Sequence, residues 1–384
     1  MYKYKCLNPI AQVGLNNFSD KYVKVEENEN ADIILVRSAK MHEMEFEDDL
    51  AAIARAGAGV NNIPLDKCAE KGIVVFNTPG ANANGVKELF VFAAIAGVRD
   101  VIGGVEWAHS EFGNPDIATL TEKEKKRFVG HEILGKTLGV IGLGAIGVKV
   151  ANVAVALGMK VIGYDPYLTD AAKANLDSLV EITDDLFTIA ARSELITIHV
   201  PANAATIGMI NADFLVKCRK GVVFINLARD TLVNEPDMQA ALNLGQVGKY
   251  ICDFPTPGNA LMKNAILIPH LGASTEESED NCAIMAVQQI TDFMENGNIT
   301  NSVNYPPINF GRVDGFERVC VAHRSELKAA DIASGLKEAG FELKGMTSKE
   351  RGDFAYSLFD LVKTDQCPKA ALNMDGILKV RVIG

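Results

Sequence analysis

Thr137-Leu138-Gly139-Val140-Ile141-Gly142-Leu143-Gly144-Ala145-Ile146-Gly147 is the stretch that decides the fold. Its first five residues are a short, mostly apolar run that reads as a buried strand. The run ends in GxGxxG, and the apolar pattern Ala145–Leu157 that follows reads as a helix closed by Gly158. A second strand, Lys160–Tyr164, ends at Asp165, close to the spacing of about 20 residues expected after such a turn. GxGxxG alone is a weak signal, and the strand, helix and acidic residue around it give it force. Gly142 permits a tight turn, Gly144 lets a pyrophosphate approach the backbone, and Gly147 lets helix and strand pack closely. Ala145 and Ile146 open the helix, whose first N–H groups face the phosphate. Asp165 is placed to accept hydrogen bonds from both adenosine ribose hydroxyls. Its charge opposes a 2′-phosphate, so NAD is expected over NADP.

A second phosphate-type pattern, Gly130-His131-Glu132-Ile133-Leu134-Gly135-Lys136-Thr137, matches GxxxxGK[ST]. It runs into a strand instead of opening a helix, so its amides cannot converge on a nucleotide, and Gly135-Lys136 reads as a turn. Beyond the glycine stretch, Leu195–Val200, Gly221–Leu227 and Tyr250–Phe254 read as further strands separated by helical segments, which predicts a doubly wound parallel sheet. Towards the amino terminus, Ala31–Val36 and Gly72–Phe76 read as strands and Asp49–Arg55 as a helix running into the apolar segment Ala56–Val60. Val86–Val98, apolar almost all round, reads as a helix buried between layers. Ser274-Thr275-Glu276-Glu277 is a capping box for a helix to about Glu295. Asn304-Tyr305-Pro306-Pro307 then breaks the chain as a linker would. The rest spells βαββαβ: Glu317–Ala322, Lys328–Glu338, Glu342–Met346, Phe354–Leu361, a weak helix at Pro368–Asn373, and Leu378–Ile383.

With 384 residues, two or three domains are expected. A hydrophobic share of 48% and a charged share of 23% are ordinary globular usage, so fibrous and low-complexity classes are excluded. The longest apolar stretch, Leu138–Val148, falls well short of the ~18 residues a bilayer requires. The net charge of −11 disfavours nonspecific binding to nucleic acid or acidic membranes, and an anionic substrate would need local basic groups. None of the seven cysteines forms a CxxC or zinc-knuckle pair, so no metal site is expected and the thiols read as mostly buried in a reducing compartment. The opening Met-Tyr-Lys-Tyr-Lys leads into no apolar signal region, which sets the expectation of a cytoplasmic protein.

Arg229 follows the run Gly221–Leu227, and His270 follows the apolar Ala265–Ile268 and Pro269. Ligands of doubly wound sheets bind at the carboxyl ends of the strands. Hydride transfer from a hydroxy acid needs a proton acceptor and a cation for the carboxylate. Taken singly, an arginine after a strand is more often an ion-pair partner and a lone histidine more often packs quietly. In order along the chain, Gly57–Val60 (GAGV), Leu138–Gly147 (LGVIGLGAIG), His199-Val200-Pro201, Asn226-Leu227-Ala228-Arg229 and Pro269-His270-Leu271-Gly272-Ala273-Ser274 resemble the D-2-hydroxyacid dehydrogenases. The resemblance covers essentially residues 1–305, and the terminal module resembles an ACT-type regulatory domain.

That resemblance implies an α/β fold with two doubly wound parallel-sheet domains, a flavodoxin-like substrate domain and a Rossmann NAD domain, plus the βαββαβ module. The implied bounds are 1–99 for the first part of the substrate domain, 100–274 for the NAD domain, 275–305 for a return helix and 310–384 for the ACT-like module. It implies that Arg229 clamps a substrate carboxylate and that His270 is the base in oxidation and the acid in reduction. Arg37, Ser38, Gly59 and Val60, with Arg55, Asn82 and Lys126, are implied on the substrate side. Asp253 is implied beside the nicotinamide. His199, Pro201 and Thr206, with Leu227, Ala228, Gly272 and Ala273, are implied around the rest of the dinucleotide. Val36-Arg37-Ser38 and Ala54–Asn62 are most like the branch that oxidises 3-phospho-D-glycerate, with a homodimer or homotetramer implied. The alternatives are a reductase of glyoxylate, hydroxypyruvate or another 2-oxo acid, and an NAD-sensing protein without turnover. Two departures stand out. No carboxylate lies between Asp253 and His270, where the family pattern has a glutamate. The turn His323–Lys328 of the terminal module lacks the usual glycine, so an assembly role is expected at least as much as feedback by serine.

Overall fold

Strands Tyr2–Cys6 (β1), Tyr22–Lys24 (β2), Ile33–Val36 (β3), Ala52–Arg55 (β4) and Val74–Phe76 (β5) form a parallel sheet of order β2-β1-β3-β4-β5 in a computed structural model that describes residues 1–384. This is the flavodoxin-like order. The segment Asp49–Arg55, expected as a helix, instead carries β4. Ala52, Ile53 and Ala54 are buried and paired to β3 on one side and β5 on the other. A short apolar run has no period that separates strand from helix, and pairing on both edges decides it. The sheet belongs to one of two compact units, Met1–Asn82 with Glu276–Gly384. In this unit helix Glu276–Asn296 buries Ala286, Val287, Ile290 and Phe293 against Leu15, Val74 and Phe76. Asn304-Tyr305, expected as a linker, is packed. Asn304 Oδ1 accepts from Val75 N–H at 2.9 Å, and the Tyr305 hydroxyl donates to Ala69 O at 2.8 Å.

The same unit holds an antiparallel sheet of Glu317–Arg324 (β13), Leu343–Arg351 (β14), Phe354–Leu361 (β15) and Ile377–Ile383 (β16), in order β14-β15-β13-β16. That is the split βαβ arrangement. The second helix of the expected pattern shrinks to a 3₁₀ turn, Pro368–Ala371. Successive side chains on β13 face opposite ways. Val319 and Val321 pack with Ile332 and Leu336 of helix Ala329–Glu338. Cys320 and Ala322 join the core around Phe76 and Phe293. Arg318, 0% exposed, is held by Asp360 at 2.6 and 2.9 Å and by the carbonyls of Asn296, Phe310 and Gly311. All five of its N–H donors are thereby used, the condition for burying a guanidinium without large cost.

The other unit, Ala83–Thr275, is built on Thr137–Ile141 (β6), Lys160–Tyr164 (β7), Val180–Thr183 (β8), Leu195–Ile198 (β9), Val222–Asn226 (β10), Val247–Cys252 (β11) and Ala265–Leu267 (β12). All pairs are parallel, in order β12-β11-β10-β9-β6-β7-β8. The order reverses between β6 and β9, which is where a doubly wound sheet opens a crevice for its ligand. Helix Ala83–Val98 packs Phe90, Ala93 and Ala94 on Val140, Val223 and Ile225 of this sheet. It thus belongs wholly to the second unit, ahead of the boundary expected at residue 99. In this unit helices Val101–Ser110 and Ile117–Glu124 lie where the sequence reading placed no element, and neither has a buried residue. No helix is long and apolar enough to cross a membrane. Five of the seven cysteines are buried, and burial pushes the Cys68 and Cys218 thiols up to about 12, whereas Cys6 is half-buried and Cys367 exposed.

Candidate active site

The turn after β6 fits a dinucleotide phosphate. Gly142 has φ +92°, and a Cβ there would lie 2.7 Å from His199 O. A Cβ on Gly147 would run into the Gly142 carbonyl, so both positions exclude larger residues. Gly144 faces open space with no atom within 4 Å of where its Cβ would be, and it caps helix Ala145–Ala156, which carries Ala145, Ile146 and Gly147 in its first turn. A helix start and a turn open to close approach are together the geometry of an anion site. Asp165 Oδ2 accepts from Leu143 N–H at 2.8 Å and Oδ1 from Tyr167 N–H at 2.8 Å. The carboxylate therefore fixes the glycine turn and keeps lone pairs for ribose hydroxyls. Thr206 Oγ1 donates to Pro201 O at 2.6 Å and shapes the turn after β9.

His199 lies beside this turn. Its Nε2 is 3.0 Å from Thr197 Oγ1, Nδ1 is buried without a partner, and burial pushes the imidazole down to about 3. In the terminal sheet, burial likewise lowers His323, which bonds Arg324 O and Ser357 Oγ at 2.8 Å each. An unfolded histidine takes up its proton near 6.5, while folded His199 stays neutral to about 3. The unfolded state therefore binds more protons over that window, and stability is present above about pH 6.5 and lost as the pH falls towards 3. Melting curves between about pH 7 and 4 should show Tm dropping, and His199→Gln should flatten the drop. An unchanged slope in the variant would clear His199 as a cause.

At the ends of β10–β12 the second unit brings Arg229, Asp253 and His270 into one cluster. Asn226, fully buried, donates to Arg229 O at 2.8 Å and accepts from Ala228 N–H at 3.1 Å, which shapes the turn through Leu227 and Ala228. Burial draws the Arg229 guanidinium below its ordinary range, with Asp230 opposing, and Nη1 donates to Ala228 O at 2.6 Å. His270 has φ +54°, a conformation few side chains accept. It is pinned by its N–H to Asp253 O and Ile268 O, and by the Asp253 carboxylate, which accepts from Leu271 N–H at 2.7 Å and Gly272 N–H at 2.8 Å. Asp253 is 1% exposed, and burial raises its carboxyl against those hydrogen bonds. A Cβ on Gly272 would stand 3.0 Å from Asp253 Oδ2, close enough to press the carboxylate by a few tenths of an ångström, and Ala273 follows half-buried.

The first unit gathers the other sequence candidates. Asn8 Oδ1, which sequence reasoning missed and no motif signals, accepts from Arg37, Ser38 and Ala39 N–H at 2.9–3.0 Å. Arg55 Nε donates to Arg37 O at 2.9 Å and Nη1 to Gly59 O, so this arginine braces the loop through Gly59 and Val60. Arg37 pairs with Glu279 at 2.5 Å, another residue the sequence did not single out. Asn82 Oδ1 is buried without a partner. Lys126, in the second unit, is exposed on the 3₁₀ turn Lys125–Phe128, whose Phe128 packs on Trp107.

Residues 98–272 match the D-isomer specific 2-hydroxyacid dehydrogenase NAD binding domain. The chain is 36% identical over 275 residues to the hydroxypyruvate reductase of Thermotoga maritima, across 67% of this chain and 83% of that one. The chain belongs to the D-isomer specific 2-hydroxyacid dehydrogenases. This family member is also 34% identical over 316 residues to the D-3-phosphoglycerate dehydrogenase of Methanocaldococcus jannaschii, covering 79% of the chain and 57% of that protein. It spans 61% of the Synechocystis D-3-phosphoglycerate dehydrogenase, so it represents little more than half of such relatives. Among solved structures, NAD⁺-bound 3-phosphoglycerate dehydrogenase of Entamoeba histolytica matches with a TM-score of 0.60 at 27% identity, over 79% of the dehydrogenase-family chain and 98% of the other.

Proposed function

We propose that the protein oxidises 3-phospho-D-glycerate to 3-phosphohydroxypyruvate with NAD, the reaction that opens serine synthesis. The observation that carries the reading is the cluster of Arg229, Asp253 and His270 at the ends of β10–β12, in the same parallel sheet whose β6 ends in the glycine turn. A fork of two N–H groups on Arg229 suits a planar carboxylate. His270 takes the hydroxyl proton as the hydride leaves C2, and returns it in reduction. NAD, when bound, supplies the hydride acceptor. The phosphoglycerate dehydrogenases among the relatives support the substrate. Arg37, Ser38, Arg55, Gly59, Val60, Asn82 and Lys126 are assigned to the substrate side, and the second unit to NAD. Asp253 holds the turn carrying His270, Leu271 and Gly272. The antiparallel terminal sheet is assigned as an ACT-like accessory module. A cytoplasmic homo-oligomer is part of the same reading. Its contact face is assigned to the two helices without buried residues and neighbouring apolar side chains such as Val105 and Phe112, the latter 95% exposed.

Reduction of hydroxypyruvate or glyoxylate is the second reading. Arg37 is engaged by Glu279 and Arg55 by backbone carbonyls, which leaves less positive charge for a phosphate. A panel of phosphorylated and unphosphorylated 2-hydroxy and 2-oxo acids, assayed with NAD and NADP in parallel, tests both. Highest kcat/KM with the phosphorylated acid and NAD is expected. Preference for unphosphorylated acids favours the second reading, and turnover with NADP equal to NAD contradicts the role given to Asp165.

A further inference from the structure

We infer that Phe254 is a positioning residue that aims both the His270 imidazole and the Arg229 guanidinium, in a segment that carries no carboxylate to do so. The inference rests on the roles proposed for those two side chains. The Phe254 ring centroid lies 4.6 Å from that of His270, tilted by 47°, and 5.6 Å from Arg229 Cζ. Both are contact distances, the second within reach of a cation–π attraction. The exposed imidazole rests against this ring, and that contact orients it. One flat ring thus serves as the shared wall of the proton-transfer group and the carboxylate-binding group.

The ring itself is held firmly. Pro255 and Pro257 each fix a backbone angle on either side of Thr256. Asn259, 2% exposed, donates from Nδ2 to Phe254 O at 2.9 Å and accepts at Oδ1 from Thr256 N–H at 2.8 Å. Thr256 Oγ1 accepts from Asn259 N–H at 3.0 Å and donates to Glu235. A loop stapled to itself and to the helix bearing Glu235 cannot swing the ring away. This is the rigid support that reacting groups require, since a displacement of about 1 Å costs about a hundredfold in rate.

The test compares Phe254→Leu with Phe254→Tyr in steady-state reduction of a 2-oxo acid by NADH, with NADH affinity and melting temperature measured alongside. Leucine keeps bulk but offers no face to a cation or a stacked imidazole. It should lower kcat by roughly ten- to a hundredfold and raise KM for the acid, with NADH affinity and melting unchanged. Tyrosine, which keeps the flat aromatic face, should restore both constants close to wild type. Unchanged kcat and KM in F254L overturn the inference, as does a Tyr variant as impaired as the Leu variant. So does loss of NADH affinity in step with kcat, which would mark general disruption. Wild-type protein that turns over no 2-oxo acid brings down the underlying reading itself.

Discussion

His270→Asn should lower kcat for 2-oxo acid reduction by about 10²–10⁴-fold, the usual worth of a positioned proton donor. Asparagine is the informative replacement because residue 270 has φ +54°. Among non-glycine residues asparagine is one of the few that accept this region readily, so strain will not be confused with lost chemistry. The hydrogen bonds that pin this turn involve backbone N–H groups and the Asp253 carboxylate, and they survive the change. NADH affinity, followed by fluorescence titration, and melting temperature should therefore stay at wild-type values. A variant within about tenfold of wild-type kcat would remove His270 from proton transfer.

Arg229→Ala should reduce kcat/KM for the acid by about two to three orders of magnitude, corresponding to the ~2–5 kcal/mol lost when one partner of a desolvated charge pair is removed. Burial draws this guanidinium below its ordinary range, a desolvation cost that a paired carboxylate would offset. Arg229→Lys should recover only part of the loss, because an ammonium is a point charge where the carboxylate calls for two parallel donors. Initial-rate measurements across substrate concentration separate the two outcomes. An alanine variant with unchanged KM would place the carboxylate elsewhere.

Much of this architecture was legible in the chain. Thr137–Ile141 and Lys160–Tyr164 are strands with the bounds their apolar runs suggested, and the glycines between them take the conformations that turn demands. Local chemistry dominates there, since turn, helix start and acidic residue each carry their own signal. Ala52–Arg55 was misread because its strand character comes only from neighbours on both sides, a tertiary fact with no periodic trace. Asn304-Tyr305 looked like a linker by composition, yet hydrogen bonds to Val75 and Ala69 bury it. The motif residues Arg229 and His270 were visible, while Phe254, Asn259 and Asn8 were not. Their importance lies in which backbone groups they reach across a loop, and nothing in their own spacing reveals it.

The most direct measurement follows one atom. The protein is incubated with NAD and a 2-hydroxy acid carrying deuterium at C2, and the reduced dinucleotide is weighed by mass spectrometry. Deuterium in the NADH formed, with an equal amount of 2-oxo acid, is the result expected if Arg229 and His270 hold the acid for hydride transfer. Oxo acid without deuterium in the dinucleotide, or no oxo acid with any member of the substrate panel, would contradict that assignment.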